Sequence, residues 1–219
     1  MSLLPDMHRA GKLAEWETID EDLWTDVQRR ADETNGLDTP GNRETLKGVI
    51  ASVAGVMAVG FDQPAVGVGL LFYGRTRDLK DGKVAAQTGT RSPLGEAFDA
   101  GADNLLAAIA TPVLFKKNLI TKDEAVIAGG VLGVKTLTSA VAKIRGQELH
   151  PSRAGKIGAF FVWNRYGTAV FAKALEQVKA PRAAEKMERF SRLNGHIGFV
   201  LEVAAALDYV HETFRARKA

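Results

Sequence analysis

Four aspartates fall in two closely spaced pairs in the middle of the 219-residue chain. Asp78 and Asp81 are three residues apart near the end of one apolar segment, and Asp99 and Asp103 are four apart near the start of the next. Residues three or four apart share one face of an α-helix, so each pair presents its carboxylates together. The sequence therefore predicts two helices that each carry a pair of acids on one side.

The two helices that carry these acids are predicted to pack antiparallel, with their acidic ends side by side. Ser92 followed by Pro93 is a typical helix start, with serine as the N-cap and proline in the first helical position. The turn before it, residues 88–91, is short. Four carboxylates that meet at one surface repel one another strongly unless a cation lies between them.

A divalent cation held by oxygen ligands is the chemistry that this arrangement favours. Carboxylates suit Mg²⁺, Mn²⁺ or Ca²⁺, and the chain has no cysteine to supply the softer ligands that zinc prefers. A magnesium-type ion keeps positions open for phosphate oxygens, so a diphosphate substrate fits such a site. Gly82, Ala85 and Gly95 are predicted to lie one turn from the acids, where small residues leave room for a flat or bulky group.

A second interpretation of the same acids involves no metal. A solvated acidic helix end could instead form salt bridges with the neighbouring cations Arg75, Arg77 and Lys80. The spacing of the aspartates is the same in both cases. Both interpretations are therefore open on spacing alone.

From Thr45 onward the chain predicts a series of six apolar helices separated by short polar turns. Glycine and alanine are frequent within them, and no alternation of β-branched residues indicates a strand. The predicted fold class is therefore all-α. Small residues let helix backbones approach closely in lipid, so the pattern favours a transmembrane bundle over a soluble one. The predicted helices are 45–61, 64–80, 93–115, 123–145, 155–175 and 194–214.

The first 38 residues differ in composition from residues 39–219 and are predicted to form a separate N-terminal segment. Ile19, Leu23 and Val27 fall on one stripe of a helix whose other positions are largely charged. Such an amphipathic helix either packs on the surface of the bundle or lies at a membrane interface. The sequence leaves both placements open.

Composition excludes several classes of protein. The hydrophobic fraction of 46% is too high for a disordered chain, and the absence of cysteine excludes a disulfide framework. A net charge of +3, with acids and bases interspersed, argues against nucleic-acid binding. A mean hydropathy of −0.08 is typical of a soluble protein, and it opposes the membrane interpretation of the glycine-rich helices.

The segment from 78 to 103 resembles the signature of the CDP-alcohol phosphatidyltransferases, D-x2-D-G-x2-A-R-x8-G-x3-D-x3-D. The departure is Ala86, at a position where that family has arginine. Asn42 and Thr45 resemble the family's Pro-Asn-x-x-Thr start of its first membrane helix, with Gly41 inserted between Pro40 and Asn42. The signature positions that match are Asp78, Asp81, Gly82, Ala85, Gly95, Asp99 and Asp103.

The resemblance implies an integral membrane enzyme with six membrane helices and an active site facing the cytoplasm. Such enzymes use a divalent metal, Mg²⁺ or Mn²⁺, and displace CMP from CDP-diacylglycerol with a small alcohol, and they form homodimers. By position, Asp78, Asp81 and Asp99 would hold the metal, and Asp103 would be a further ligand or the general base. The residues that would bind the CDP-lipid are Gly82, Ala85, Gly95, Asn42 and Thr45.

Cations near the fourth and fifth predicted helices favour a phosphorylated acceptor. Lys135 stands within an otherwise apolar stretch, where a charge is costly unless it has a function. Gly155-Lys156 resembles a segment of phosphatidylglycerophosphate synthases, which favours glycerol 3-phosphate as the acceptor, with inositol phosphate as the alternative. The candidate acceptor residues are Lys135, Arg145, Arg153 and Lys156.

A competing class is a soluble or inactive helical bundle that retains the metal-binding motif and makes no lipid. The low mean hydropathy and the lack of any uninterrupted apolar window of about 18 residues favour that class. Extraction from membranes separates the two classes, because only a membrane-embedded chain needs detergent.

Overall fold

The computed structural model describes residues 21–90, 92–147 and 152–215. Across these ranges the chain forms seven α-helices and no strand, so the predicted all-α class is confirmed. Ile19, a residue of the predicted N-terminal amphipathic helix, lies outside the described residues. The helices are α1 (Glu21–Glu33), α2 (Pro40–Gly60), α3 (Pro64–Gln87), α4 (Pro93–Lys116), α5 (Lys122–Ile144), α6 (Arg153–Gln177) and α7 (Pro181–Arg215).

Helices α2 to α7 match the six predicted ones, with differences at their ends. α2 begins at Pro40 because the Thr39 hydroxyl accepts a hydrogen bond from the Asn42 amide at 3.1 Å and proline takes the first helical position. α3 continues to Gln87, so the motif residues after Asp78 are helical as well. α7 begins at Pro181 instead of 194, so the sequence prediction missed a first part that is rich in charged residues.

Side-chain caps fix the starts of three further helices. The hydroxyl of Ser92 accepts a hydrogen bond from the Gly95 amide, as predicted for the start of α4. Thr121 and Glu124 form a reciprocal capping box at the start of α5, and Ser152 caps α6 through the Gly155 amide. These caps set where the acidic start of α4 lies relative to the end of α3.

α2 lies beside both α3 and α4, while α6 packs against α3 and α7, and α5 packs against α4 and α7. Two glycine contacts let α2 and α3 approach closely. A Cβ on Gly48 would lie 3.0 Å from the carbonyl oxygen of Gly74, and one on Gly55 would lie 3.1 Å from that of Gly67. This close approach brings the start of α2 against the acidic end of α3.

Among the described helices, one is long and apolar enough to cross a membrane by its length and composition, and it is α5 (Lys122–Ile144). The predicted bundle of six membrane helices is therefore not confirmed. Large apolar side chains are nevertheless exposed on other helices, including Phe72 at 71% and Val200 at 70%.

Candidate active site

Three of the four predicted aspartates converge between the end of α3 and the start of α4. These two helices each pack on α2 and hardly on each other, so the predicted antiparallel packing of the two is wrong. Asp78, Asp81 and Asp99 each offer a carboxylate oxygen, and these oxygens all lie within 4.8 Å of one another. Asp103 lies one turn further along α4 and does not belong to this group. The structure therefore brings together the three residues predicted as metal ligands and places the predicted base next to them.

Two of these carboxylates have protein partners that orient them. The hydroxyl of Thr45 on α2 donates a hydrogen bond to Oδ2 of Asp81 at 2.6 Å, and the Gly82 amide donates to Oδ1 of Asp81. Arg75 forms an ion pair with Asp78 one turn earlier on α3. The salt-bridge interpretation of the acidic cluster is thus realised in part, through Arg75 and not through Arg77, which pairs with Glu44.

The acids lie on the charged parts of α3 and α4, outside the uncharged stretches 64–74 and 104–115. Burial, followed by the neighbouring Asp81 and Asp78 carboxylates, raises the pKa of Asp99 to about 6. Burial among the apolar walls of a cavity, followed by Asp78 and Asp99, raises the pKa of Asp103 to about 7, although solvent reaches it there. The protein alone thus disfavours full ionisation of the acids, and a bound cation would relieve this.

The donor set fits a hard divalent ion. Two oxygens on opposite sides of one Mg²⁺ lie about 4.2 Å apart, twice the usual bond length of about 2.1 Å. The three carboxylate oxygens already lie within 4.8 Å of one another, so small side-chain adjustments suffice for one ion to contact all of them. The described part of the chain brings no histidine into this group, and oxygen-only ligands favour Mg²⁺ or Mn²⁺ over zinc.

A cavity of about 290 Å³, called here the smaller cavity, adjoins the carboxylates. All five residues predicted to bind the CDP-lipid line it, together with Asp81 and Asp99. Gly41, Thr90 and Ser92 also line it, and none of these three was predicted to bind the substrate. The predicted lining residues are Asn42, Thr45, Gly82, Ala85 and Gly95.

A second cavity of about 560 Å³, the larger cavity, begins at the same carboxylates and runs between α2, α3, α4 and α6. Asp78, Asp99 and Asp103 lie along it, and most of its remaining wall is apolar. The sequence did not indicate this cavity, because its wall residues were indistinguishable from ordinary core positions. Its apolar wall includes Val56, Leu71, Phe72, Leu106, Leu114, Phe160, Trp163 and Phe171.

The four predicted acceptor cations separate into two groups. Arg153 and Lys156 precede Phe160 by seven and four residues on α6, so they share its face, and Phe160 lines the larger cavity. Lys135 instead forms an ion pair with Glu202 of α7. The remaining cation, Arg145, donates a hydrogen bond to the Thr213 carbonyl oxygen at 3.0 Å. Arg153 and Lys156 thus lie on the face of α6 that carries Phe160, called here the cavity face, but neither residue lines either cavity. Lys135 and Arg145 are bonded to α7.

The comparison with protein families agrees with this geometry. The family model described as CDP-alcohol phosphatidyltransferase matches residues 43–193, which is more than half of the chain and contains the whole aspartate motif. The chain belongs to this family. Ala86, at the position where the signature has arginine, lies exposed on α3.

A curated relative carries the same family name. The chain is similar to an uncharacterized CDP-alcohol phosphatidyltransferase class-I family protein 3 of Dictyostelium discoideum, with 33% identity over 82 residues. The match covers 32% of this chain and 20% of the relative, so the chain spans about a fifth of that protein's length. No solved structure matches the chain significantly.

Proposed function

We propose that this chain is a metal-dependent enzyme of phospholipid biosynthesis, transferring a phosphatidyl group from CDP-diacylglycerol to a small alcohol with release of CMP. One observation carries the proposal: three carboxylates of the family motif converge beside a cavity that is lined by every residue predicted to bind the nucleotide. A diphosphate ester needs both a cationic centre and a place for its base and sugar. The two features adjoin each other at Asp81 and Asp99.

The ligand roles follow from the positions of the acids. Asp78, Asp81 and Asp99 would hold Mg²⁺ or Mn²⁺, and a bound ion supplies positive charge that neutralises the diphosphate and the departing CMP. Thr45 fixes the orientation of Asp81. The smaller cavity receives the cytidine portion, and the apolar larger cavity suits the lipid portion of the substrate.

Asp103 is the proposed general base. The acceptor hydroxyl oxygen attacks the phosphorus that bears the diacylglycerol, the bond from that phosphorus to the CMP oxygen breaks, and Asp103 takes the hydroxyl proton. A carboxylate with a pKa near 7 is a stronger base than an ordinary aspartate and is about half ionised at neutral pH. Its place in the larger cavity, one turn from Asp99, supports this role, because the phosphate of a substrate bound at the carboxylates would lie near it.

Glycerol 3-phosphate is the proposed acceptor, and inositol phosphate is the alternative within the family. Arg153 and Lys156 support a phosphorylated acceptor, because both lie on the cavity face of α6. Lys135 and Arg145 contribute less to acceptor binding in this proposal, because Lys135 forms an ion pair with α7 and Arg145 donates a hydrogen bond to it. Exchange of Arg153 and Lys156 for glutamine would raise the KM for the acceptor and leave that for the CDP-lipid unchanged.

The proposed location is the cytoplasmic membrane, with the carboxylates facing the cytoplasm and the chain acting as a homodimer. The apolar length of α5 and the exposed apolar side chains of other helices support a bundle that lies in lipid. A soluble helical bundle is the alternative. A chain that stays in the supernatant after membranes are pelleted, without detergent, would contradict the membrane location, and cross-linking in membranes tests the dimer.

The decisive experiment measures CMP release from CDP-diacylglycerol with Mg²⁺ or Mn²⁺ and a panel of acceptors. We expect release that depends on metal and on one acceptor, and none from Asp99→Asn. Absence of release from the intact chain with every acceptor would overturn the proposed activity. In that case Ala86→Arg, which restores the signature arginine, tells whether this departure alone makes the chain inactive.

A further inference from the structure

The turn between α1 and α2 has a defined hydrogen-bonded conformation. The Gly36 amide donates to the Ala31 carbonyl oxygen at 2.7 Å, and the Asp38 amide donates to the Thr34 hydroxyl at 2.8 Å. Asn35 and Gly36 both adopt the left-handed region, with φ of 50° and 82°. Residues 34–39 therefore form an ordered, hydrogen-bonded turn that fixes the position of α1 relative to α2.

This turn is bonded directly to walls of the smaller cavity. The side-chain amide of Asn42 donates to the carbonyl oxygens of Gly36 and Leu37, each at 2.9 Å. The hydroxyl of Ser92 donates to the same Gly36 oxygen at 3.4 Å, and a Cβ on Gly36 would lie 2.5 Å from that hydroxyl. The turn thus joins the start of α2 to the start of α4, and both Asn42 and Ser92 line the cavity.

Helix α1 makes a third attachment, to the end of α3. The side-chain amide of Gln28 donates to the Thr88 carbonyl oxygen at 3.0 Å, and Thr88 is the C-cap of α3. The Thr88 hydroxyl also contacts that of Thr90, which lines the smaller cavity. All three helix ends that form the cavity are therefore tied to one N-terminal element.

We propose that α1 and residues 34–39 form a strap that holds the nucleotide site in its binding shape, with Gln28, Gly36 and Asn42 as positioning residues. This inference rests on the proposed function, because it takes the smaller cavity to be the cytidine site. A pocket built from three separate helix ends binds its ligand weakly when the ends move independently, since ordering them then costs part of the binding free energy. The strap removes that cost before the CDP-lipid arrives.

The test compares variants of the strap with a matched change on the same helix. Gln28→Ala removes the bond to Thr88, and Gly36→Ala places a Cβ against Ser92 at a positive φ. Arg29→Gln is the control, because the hydrogen bonds of Arg29 go to Asp26 and Glu33 within α1. The measurements are the KM for CDP-diacylglycerol, kcat, thermal unfolding, and the Kd for CMP by calorimetry with the full-length chain in detergent.

We expect Gln28→Ala to raise the KM for the CDP-lipid and the Kd for CMP about 2- to 10-fold, the range for one lost hydrogen bond. We expect a larger rise for Gly36→Ala and wild-type values for Arg29→Gln. A general loss of folded protein would lower the total rate and leave KM and Kd unchanged, so the affinity change identifies positioning.

The outcomes separate the two proposals. If the wild-type chain binds CMP and Gln28→Ala and Gly36→Ala bind it equally well, the strap is overturned and the proposed function stands. If the wild-type chain neither binds CMP nor releases it from CDP-diacylglycerol, the proposed function is overturned and the strap with it. A chain that binds CMP without turnover still tests the strap through the Kd.

Discussion

Thr45 on α2 donates a hydrogen bond to Asp81 on α3 across 2.6 Å, so a residue that lines the smaller cavity also orients a carboxylate of the candidate metal site. The other oxygen of Asp81 is met by the Gly82 amide. A carboxylate held at both oxygens presents its remaining lone pairs in fixed directions. The Thr45 contact therefore links α2 to the candidate metal site.

Replacing Thr45 with valine should weaken metal binding. Valine has nearly the same shape but cannot donate to Asp81, and loss of a partner that orients a metal ligand typically costs about 10- to 100-fold in affinity. Titration with Mn²⁺ followed by electron paramagnetic resonance measures this change directly. Thr45→Ser keeps the hydroxyl and should retain most of the affinity; a serine variant as weak as the valine variant would show that the methyl group, and not the hydrogen bond, matters.

Metal binding should strengthen as pH rises from about 5.5 to 7.5. The pKa values of Asp99 and Asp103 are raised to about 6 and about 7, so both carboxyls are largely protonated at the low end of this range. A metal must displace those protons, so its apparent affinity rises as pH passes through these values. An apparent Mn²⁺ affinity that is equal at pH 5.5 and 7.5 would contradict the raised pKa values.

The raised pKa values of Asp99 and Asp103 also make the stability of the fold depend on pH. A carboxyl whose pKa is higher in the folded than in the unfolded state stabilises the fold at low pH, and this contribution is lost as pH rises through the folded value. The metal-free chain should therefore lose stability from about pH 4 to pH 7. Mg²⁺ should then raise the unfolding temperature more at pH 7.5 than at pH 5.5, because it binds more tightly at the higher pH.

Much of this site could be predicted from local patterns. The spacing within the pairs Asp78–Asp81 and Asp99–Asp103 predicted that each pair lies on one face of a helix. Ser92-Pro93 predicted where the helix that carries Asp99 begins. The link from Thr45 to Asp81 could not be predicted, because it depends on the register of α2 against α3, which Gly48 and Gly74 fix by close contact. Register between helices is a tertiary property that no short pattern reports.

The candidate acceptor residues also depend on contacts between helices that sequence patterns do not predict. A lone lysine in an apolar stretch predicts a function in binding for Lys135. In the structure this lysine forms an ion pair with Glu202. The two residues are 67 positions apart in the sequence and lie on different helices. Arg153 and Lys156 were predicted from a motif, and their cavity face becomes visible only when Phe160 is seen in the wall.

Asp103→Asn should abolish turnover and retain CDP-lipid binding. Asparagine has the same size but cannot take a proton, and loss of a general base typically costs about 10²- to 10⁴-fold in rate. Asp99→Asn serves as the matched comparison, since it should lose metal binding together with turnover. CMP release and Mn²⁺ titration of both variants distinguish a general base from a metal ligand. Normal turnover in Asp103→Asn would contradict the assignment of Asp103 as the base.

Gly82→Ala should raise the KM for the CDP-lipid without weakening the fold. Gly82 lines the smaller cavity, and a Cβ added there meets no protein atom within 4 Å, so the methyl group occupies cavity space alone. Gly101→Ala is the matched control, because that Cβ also meets nothing within 4 Å and Gly101 lines neither cavity. Alanine in a helix should stabilise both variants by about 0.5 to 1 kcal/mol. Equal KM values in the two variants would show that the nucleotide does not bind in the smaller cavity.

A buried guanidinium far from the motif holds three helices together. Arg165 on α6 is 2% exposed and donates to both carboxylate oxygens of Glu124, at 2.7 and 3.0 Å, and to the hydroxyl of Ser191 on α7 at 2.7 Å. A further guanidinium N–H donates to the Leu119 carbonyl oxygen at 2.9 Å. A buried charge with this many hydrogen bonds stabilises its surroundings only while its partners are present.

Arg165→Met should therefore lower the free energy of unfolding by about 3 to 5 kcal/mol, because it leaves the Glu124 carboxylate buried without its partner. Arg189→Met is the matched control: Arg189 pairs with Glu185 at 2.6 Å on the surface of α7, and such a pair contributes about 1 kcal/mol or less. Unfolding in detergent, followed by circular dichroism, measures both variants. The folded fraction of Arg165→Met should keep its Mn²⁺ affinity, since α3 and α4 hold the metal ligands. Equal stability of the two variants would show that the Arg165 contacts do not hold α5, α6 and α7 together.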